Sequence, residues 1–187
     1  MDSDQEQFLK DELFSLTLMA TVQRANVYAA ASAEKDRKAF QAALRSRLEG
    51  LAKTYRETVL EETHIQNVLG LSSHLSSSHA RVLRDGRFRI GPAQKALNLY
   101  LKYLWCLGMI PAPPHCPFDF RVISKLSTYT GPSWTALDTE GEYRVLIEAA
   151  RATAQGMSLA TWELQTYNNV RPGGTADSAE RASELAH

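Results

Sequence analysis

The sequence has few cysteines, no long apolar run and no excess of charge of either sign. Its two cysteines, Cys106 and Cys116, are too few for a disulfide framework, so both are expected to be reduced thiols. The longest strongly apolar stretch, residues 96–111, includes Asn98 and Lys102 and is shorter than the roughly 20 residues that span a bilayer. No membrane association is therefore predicted.

Signals for export and for tightly bound groups are also lacking. The chain starts Met1-Asp2-Ser3-Asp4, which is acidic and lacks the basic and apolar regions of a secretion signal. Together with reduced thiols, this start indicates a cytoplasmic protein. The histidines are not spaced as zinc ligands and no CxxC occurs, so no metal site is predicted. No phosphate-binding loop or dinucleotide fingerprint is present, and no cofactor is predicted.

Apolar residues recur at helical spacing along most of the chain, and 44% of the residues are hydrophobic, enough for one sizeable core. The pattern predicts an all-α fold, with one compact domain of six to eight helices over residues 1–170. Its centre is a buried helix at 93–107, ended by Gly108 in a left-handed cap. Long helices at 4–31 and 34–60, a shorter one at 63–75, a small hairpin after Asp85-Gly86 and a flexible tail at 171–187 are also predicted.

The net charge of zero hides an uneven distribution. Residues 1–80 hold 9 basic and 11 acidic side chains, residues 81–125 hold 8 and 2, and residues 126–187 hold 4 and 8. Arg84, Arg87 and Arg89 cluster around the turn that precedes the central helix. Such a turn beside a helix N-terminus is a candidate phosphate site, with Lys102 as a further contact to nucleic acid. The alternative is that these arginines pair with the acidic segments as a structural network.

The central helix carries a polar strip on an otherwise apolar surface. On a helical wheel, Gln94, Lys95, Asn98, Lys102 and Trp105 share one sector. One interpretation is a solvent-exposed face with lysine stems lying along it. The other is the floor of a pocket formed by Gln94, Asn98 and Trp105, in which a partly desolvated Lys95 acts as a nucleophile or anion contact.

Residues 90–119 carry a family resemblance. Ile90-Gly91-Pro92-Ala93-Gln94-Lys95-Ala96, a helix, and then Pro117-Phe118-Asp119 resemble the core of helix-hairpin-helix DNA glycosylases of the 8-oxoguanine type. In that all-helical family a lysine near a helix start is the nucleophile, and an aspartate assists loss of the base. The resemblance implies that Lys95 and Asp119 are catalytic, that DNA is the partner, and that Trp105 or Trp134 can stack on an extruded base. Asp119 is equally suited to cap the following helix.

Two other functions remain open from the sequence. The chain is also compatible with a non-catalytic interaction protein that forms a homodimer through helices 4–31 and 34–60. It is equally compatible with a small-molecule-binding protein whose pocket lies beside Lys95 and Trp105. The glycosylase-like interpretation expects the Lys95 amine and the Asp119 carboxylate to face one another across a concave site, and their separation onto opposite surfaces would exclude catalysis by this pair.

Overall fold

A computed structural model describes residues 3–169, and these form an all-α domain, as predicted. Seven α-helices follow one another: α1 (Ser3–Leu18), α2 (Glu34–Ala52), α3 (Glu61–His79), α4 (Ile90–Cys106), α5 (Phe120–Ile123), α6 (Glu140–Ala154) and α7 (Leu159–Asn169). Residues 1–2 and 170–187, including the predicted tail at 171–187, lie outside the described part. Within residues 3–169, no helix is both long and apolar enough to cross a membrane.

Helix α4 is the central element, as the sequence predicts. It packs against α1, α2, α3 and α6, and every residue from Ile90 to Asn98 is buried. Pro92 is tolerated because it falls within the first turn, where backbone N–H groups have no helical partner. The helix ends before Gly108, whose φ of +70° is the predicted left-handed cap.

Both long predicted helices are too long. The second, predicted to reach residue 60, ends at Ala52 and is followed by a 3₁₀ turn, Lys53–Arg56, and by an extended Glu57.

The first predicted helix is shortened at its C-terminal end. The chain stays helical through a π-turn, Met19–Gln23, but Asn26 adopts a φ of +51° and ends the helix before the predicted residue 31. The following segment pairs with the turn after α3 instead. Tyr28 and Leu83 form an isolated bridge, and the Arg84 N–H donates to the Val27 carbonyl at 2.7 Å. This pairing between two distant segments of the chain replaces the last turns of the predicted helix.

The turn between α3 and α4 also differs from the predicted hairpin. Residues 84–86 form a 3₁₀ turn in which Asp85 and Gly86 have φ values of +55° and +68°, and no strand follows within the described residues. Helix α3 continues through its serine-rich end to His79 rather than stopping at residue 75. Ser72 Oγ donates to the Phe88 carbonyl at 2.6 Å, and the Phe88 N–H donates to Ser76 Oγ at 2.9 Å. The serines thus fasten the turn to α3.

The cap of α6 and the path of the proline-rich connector both follow from the local sequence. Thr139 caps α6 through a capping box, in which its hydroxyl accepts from the Glu142 N–H and the Glu142 carboxylate accepts from the Thr139 N–H. The proline-rich connector at 107–119 forms no regular helix, because four prolines remove backbone donors. Residues 115–118 of this connector are nevertheless buried, since they lie against α4.

Candidate active site

Lys95 and Asp119 meet in the structure. The Lys95 Nζ lies 3.2 Å from Asp119 Oδ2, although 24 residues separate the two in sequence. The lysine side chain is 3% exposed and the aspartate side chain is 24% exposed. Helix α4 presents Lys95 inward in its second turn, and the connector delivers Asp119 at the start of α5. The two groups therefore face one another, as the resemblance implies, but in a closed contact beneath Trp134 rather than across an open concave site.

Asp119 also caps α5, so its two carboxylate oxygens have different partners. Oδ1 accepts from the backbone N–H groups of Arg121, at 2.9 Å, and Val122, at 3.3 Å. Oδ2 faces Lys95. The capping interpretation is therefore confirmed and is compatible with the ion pair. Because the cap fixes the carboxylate plane, it also restricts the direction from which Oδ2 approaches the amine.

The ammonium of Lys95 is covered by an aromatic ring. Its Nζ lies 4.2 Å from the centroid of Trp134, which is itself buried. Burial lowers the pKa of Lys95 below its ordinary value, and the Asp119 carboxylate opposes this by stabilising the charged form. Arg24 and Arg121 add to the lowering through charge repulsion. A larger fraction of this amine is therefore neutral, and so nucleophilic, than of an exposed lysine at the same pH.

The part of the polar strip that carries Gln94 and Asn98 is neither exposed to solvent nor the floor of an open pocket. Gln94 and Asn98 are fully buried, and the connector and α6 fill the space above them. Gln94 bonds the backbone of Phe118, and the Asn98 amide donates to Gln94 Oε1 at 3.2 Å. Trp105 is half-buried and packs against the core. Both interpretations of this strip are corrected, because a helical wheel does not show what covers a face.

Lys102 is held by a carboxylate of its own. Its Nζ lies 2.6 Å from Glu163 Oε2, with only 12% of the lysine and 5% of the glutamate side chain exposed. The same Nζ lies 4.6 Å from the Tyr167 ring centroid. This ion pair joins α4 to α7 and neutralises the charge of Lys102 inside the fold. The arginines of the turn, by contrast, lie nearer the surface.

The arginine cluster lines an open cleft. Arg84, Arg87 and Arg89 share a cavity of about 160 Å³ with Asn26 and Thr135. Arg87 pairs with Asp138 of the acidic C-terminal segment at 3.1 Å, so part of the structural-network interpretation holds, whereas Arg89 pairs with Asp85 of its own turn at 2.9 Å. Within residues 3–169, Arg84 has no salt bridge. The cleft therefore keeps a positive excess.

A second cleft adjoins the first. It measures about 500 Å³, shares Asn26 and Arg84, and adds Tyr28 from the segment before α2 and Arg37 from the first turn of α2. Sequence reasoning missed these residues because they reach the turn only through the pairing of residues 27–29 with 82–84. The N-terminus of α4 does not complete an anion site, since the Gly91 N–H donates to the Leu137 carbonyl at 2.8 Å and Pro92 has no N–H.

An exposed aromatic residue adjoins the Lys95–Asp119 pair and was not singled out in the sequence. Phe120 directly follows Asp119, and 76% of it is exposed. A large apolar side chain so exposed is uncommon at a helix start and marks a surface available for contact. The only sequence signal was its position next to the aspartate.

A separate cluster of buried histidines and tyrosines lies behind the connector. Tyr55 Oη and His64 Nδ1 are 2.7 Å apart, His115 Nδ1 and Tyr143 Oη are 2.8 Å apart, and the two imidazole centroids lie 4.6 Å from each other. Glu61 Oε1 reaches His115 Nε2 at 3.4 Å. No group of three or more metal-binding side chains forms within residues 3–169. Burial lowers the pKa of His64 to about 4 and that of His115 well below its ordinary value.

This histidine cluster predicts a loss of stability in mild acid. The native state keeps His64 neutral down to about pH 4, whereas the unfolded chain protonates it near pH 6.5. The unfolded state therefore binds more protons in this window, and the free energy of unfolding falls as pH falls, by about 3 kcal/mol from His64 between pH 6.5 and 4. Urea unfolding at a series of pH values measures this slope. The dependence of the unfolding free energy on pH should become weaker in His64→Gln. It should persist in the control His74→Gln, which changes an exposed histidine of α3. Equal slopes in the wild type and both variants would contradict the assignment of this effect to His64.

Comparison with protein-family models, with curated proteins and with solved structures finds no match.

Proposed function

We propose that the protein binds DNA and removes damaged or modified bases, with Lys95 as nucleophile and Asp119 as the stabilising carboxylate. The observation that carries this proposal is the 3.2 Å contact between Lys95 Nζ and Asp119 Oδ2. A partly desolvated amine beside a fixed carboxylate is the pair that base removal with covalent capture requires. The helical fold agrees with the resemblance that first indicated this activity, and the arginine turn between α3 and α4 adds a positive surface in front of the same helix.

The proposed reaction uses the two groups in sequence. As the bond between the base and the sugar C1′ breaks, the electron pair leaves with the base, and the Asp119 carboxylate stabilises the positive charge that develops on the sugar. The neutral Lys95 amine forms a bond to C1′ and gives up a proton, which the departing base takes. Opening of the sugar ring moves a second proton from nitrogen to O4′ and leaves a Schiff base. Borohydride reduces this C=N bond and traps the adduct.

Access to Lys95 requires movement of Trp134. With 3% of the lysine side chain exposed and the indole 4.2 Å from Nζ, an extruded nucleotide reaches the amine only when the ring leaves its position. We therefore assign Trp134 as the group that yields to the base. Phe120, exposed beside Asp119, replaces Trp105 as the second aromatic available to contact DNA.

The arginine turn supplies the phosphate contacts in this proposal, and it predicts salt-sensitive DNA binding. Replacing both Arg87 and Arg89 by Ala should weaken binding to duplexes of any sequence and reduce the slope of log affinity against log salt by about 2, because each phosphate contact releases roughly one counterion. Fluorescence anisotropy at 50–300 mM salt measures this slope.

The matched control is Arg47→Ala. Arg47 is exposed on α2, ten residues beyond the cleft residue Arg37, or about 15 Å along the helix. Its loss should leave the slope unchanged. Equal slopes for wild type and the double variant, or binding that is independent of salt, would remove the turn from the DNA interface.

The homodimer alternative retains one supporting observation. On α1 and its π-turn, Phe8, Leu16 and Met19 are each about half exposed or more. The apolar stripe of α2, by contrast, faces the core through Phe40 and Leu44. A dimer through the first of the two predicted helices therefore stays a prediction.

A further inference from the structure

The Gln94 side chain binds the connector as a backbone strand would. Its Nε2 donates to the Phe118 carbonyl at 2.7 Å, and its Oε1 accepts from the Phe118 N–H at 3.2 Å. Gln94 and Phe118 are both fully buried, so neither backbone group of Phe118 has water as an alternative partner. One side-chain amide thus satisfies the donor and the acceptor of a single residue in a segment that has no secondary structure of its own.

The position of this contact in the sequence is informative. Gln94 directly precedes Lys95, and Phe118 directly precedes Asp119. The paired amide groups therefore lie one residue before each member of the ion pair. Fixing the Phe118 backbone on α4 limits where Asp119 Oδ2 can lie relative to Lys95 Nζ.

The amide of Gln94 is held in a single orientation. Asn98 Nδ2 donates to Gln94 Oε1 at 3.2 Å and lies 3.5 Å from Tyr143 Oη, which joins this arrangement to α6. Oε1 accepts two hydrogen bonds, and Nε2 donates to a carbonyl. Reversing the amide would place Nε2 against the Phe118 N–H and Asn98 Nδ2, which are both donors. The connector is thus held in register by side chains rather than by a strand.

We propose that Gln94 is a positioning residue whose amide clamps Phe118 and thereby sets the Asp119 carboxylate against the Lys95 amine. The catalytic consequence rests on the proposed function, because it concerns the same amine. The effect of Gln94 on the Lys95–Asp119 ion pair does not depend on DNA, so it can be measured in the protein alone.

The test is a double-mutant cycle on the pKa of Lys95, measured by NMR titration of isotopically labelled lysine. Asp119→Asn should lower this pKa, because the carboxylate stabilises the charged amine. Gln94→Leu should lower it in the same direction, since the carboxylate is no longer held in place. In the double variant the two effects should not add, because the clamp acts only through Asp119. Additive effects, or no effect of Gln94→Leu, would overturn the proposal.

Borohydride trapping on a lesion-bearing duplex gives the second readout. Gln94→Leu should slow adduct formation about 10- to 100-fold, as expected for a misplaced reacting group, and should leave the DNA dissociation constant unchanged. Adding Gln94→Leu to Asp119→Asn should cost no further rate. If the wild type forms no adduct but the pKa effects are non-additive, the proposed function is wrong and the role of Gln94 is supported. If adducts form but the pKa effects are additive, the proposed function is supported and the role of Gln94 is wrong.

Two further variants guard against a merely structural effect. Gln94→Asn adds no charge and keeps the amide, but it is one methylene shorter and cannot reach both backbone groups of Phe118, so it should lower the Lys95 pKa even if Gln94→Leu does not fold. Leu48→Ala empties a buried position on α2, which takes no part in the hydrogen bonds that join Gln94, Phe118 and Asn98. It should lower stability without moving the Lys95 pKa or the trapping rate; a comparable shift in Leu48→Ala would contradict a specific role for Gln94.

Discussion

Replacing Lys95 by Gln is expected to abolish the borohydride-trapped adduct between the protein and a lesion-bearing duplex. The amide has no nucleophilic lone pair, so the rate of adduct formation should fall at least about 100-fold. The fold should survive, because Asp119 remains anchored as the cap of α5 and 24% of its side chain is exposed. Denaturing gel electrophoresis of trapped complexes measures the adduct, and circular dichroism checks that the variant is folded.

Lys102→Gln is the matched control for this experiment. Lys102 lies two turns further along α4 and is also paired with a carboxylate, Glu163. Its variant should still form the adduct, although leaving Glu163 unpaired should lower stability. Adducts that persist in Lys95→Gln, or a folded wild type that forms none on a broad panel of lesions and on a preformed abasic site, would refute the assignment of Lys95 as nucleophile.

Gly91→Ala is expected to be the most destabilising small substitution near the site. A Cβ at residue 91 would lie 1.6 Å from the Trp134 carbonyl oxygen and 2.8 Å from its carbonyl carbon, both of which are backbone atoms. The loop at 132–138 must then move off the N-terminus of α4, which also breaks the hydrogen bond from the Gly91 N–H to the Leu137 carbonyl. We expect a loss of about 3 kcal/mol or more in the free energy of unfolding, and thermal denaturation measures it.

Gly70→Ala provides the contrasting result. Gly70 is exposed on α3, and a Cβ there would meet no atom within 4 Å. Because Ala has the higher helix propensity, this variant should be more stable than the wild type by about 0.5–1 kcal/mol. If both variants change stability equally, the close approach of the Trp134 carbonyl is not what requires glycine at position 91.

Local signals in the sequence were enough to predict the helical architecture. The all-round apolar pattern of α4, the cap at Gly108 and the turn residues at 85–86 each depend on neighbours within a few positions. The wrong predictions came where distant segments compete with local propensity. The first helix ends early because residues 27–29 pair with 82–84, and α3 runs on because Ser72 and Ser76 bond the backbone of Phe88.

The candidate site was predictable only through the family resemblance. It pointed to Lys95 and Asp119, whereas the helical wheel alone left Gln94 and Asn98 ambiguous between solvent and a pocket. The path of the proline-rich connector decides their role, and that path has no periodic signal. The Gln94–Phe118 clamp joins residues 24 positions apart through a side-chain amide, so no spacing rule would have found it.

The indole over Lys95 has an energetic consequence for affinity. A cation–π contact to a desolvated ammonium contributes about 1–2 kcal/mol, and a substrate that must displace Trp134 loses that contribution. If the open form is less stable by this amount, it makes up roughly one molecule in 6 to one in 30, and the apparent affinity falls by the same factor. This cost is the same for every nucleotide, so the indole weakens the binding of intact and damaged sites by one common factor. In the proposed function, the preference for a damaged site therefore comes from the smaller cost of unpairing there, and the closed resting state of Trp134 sets only how tightly any base is held.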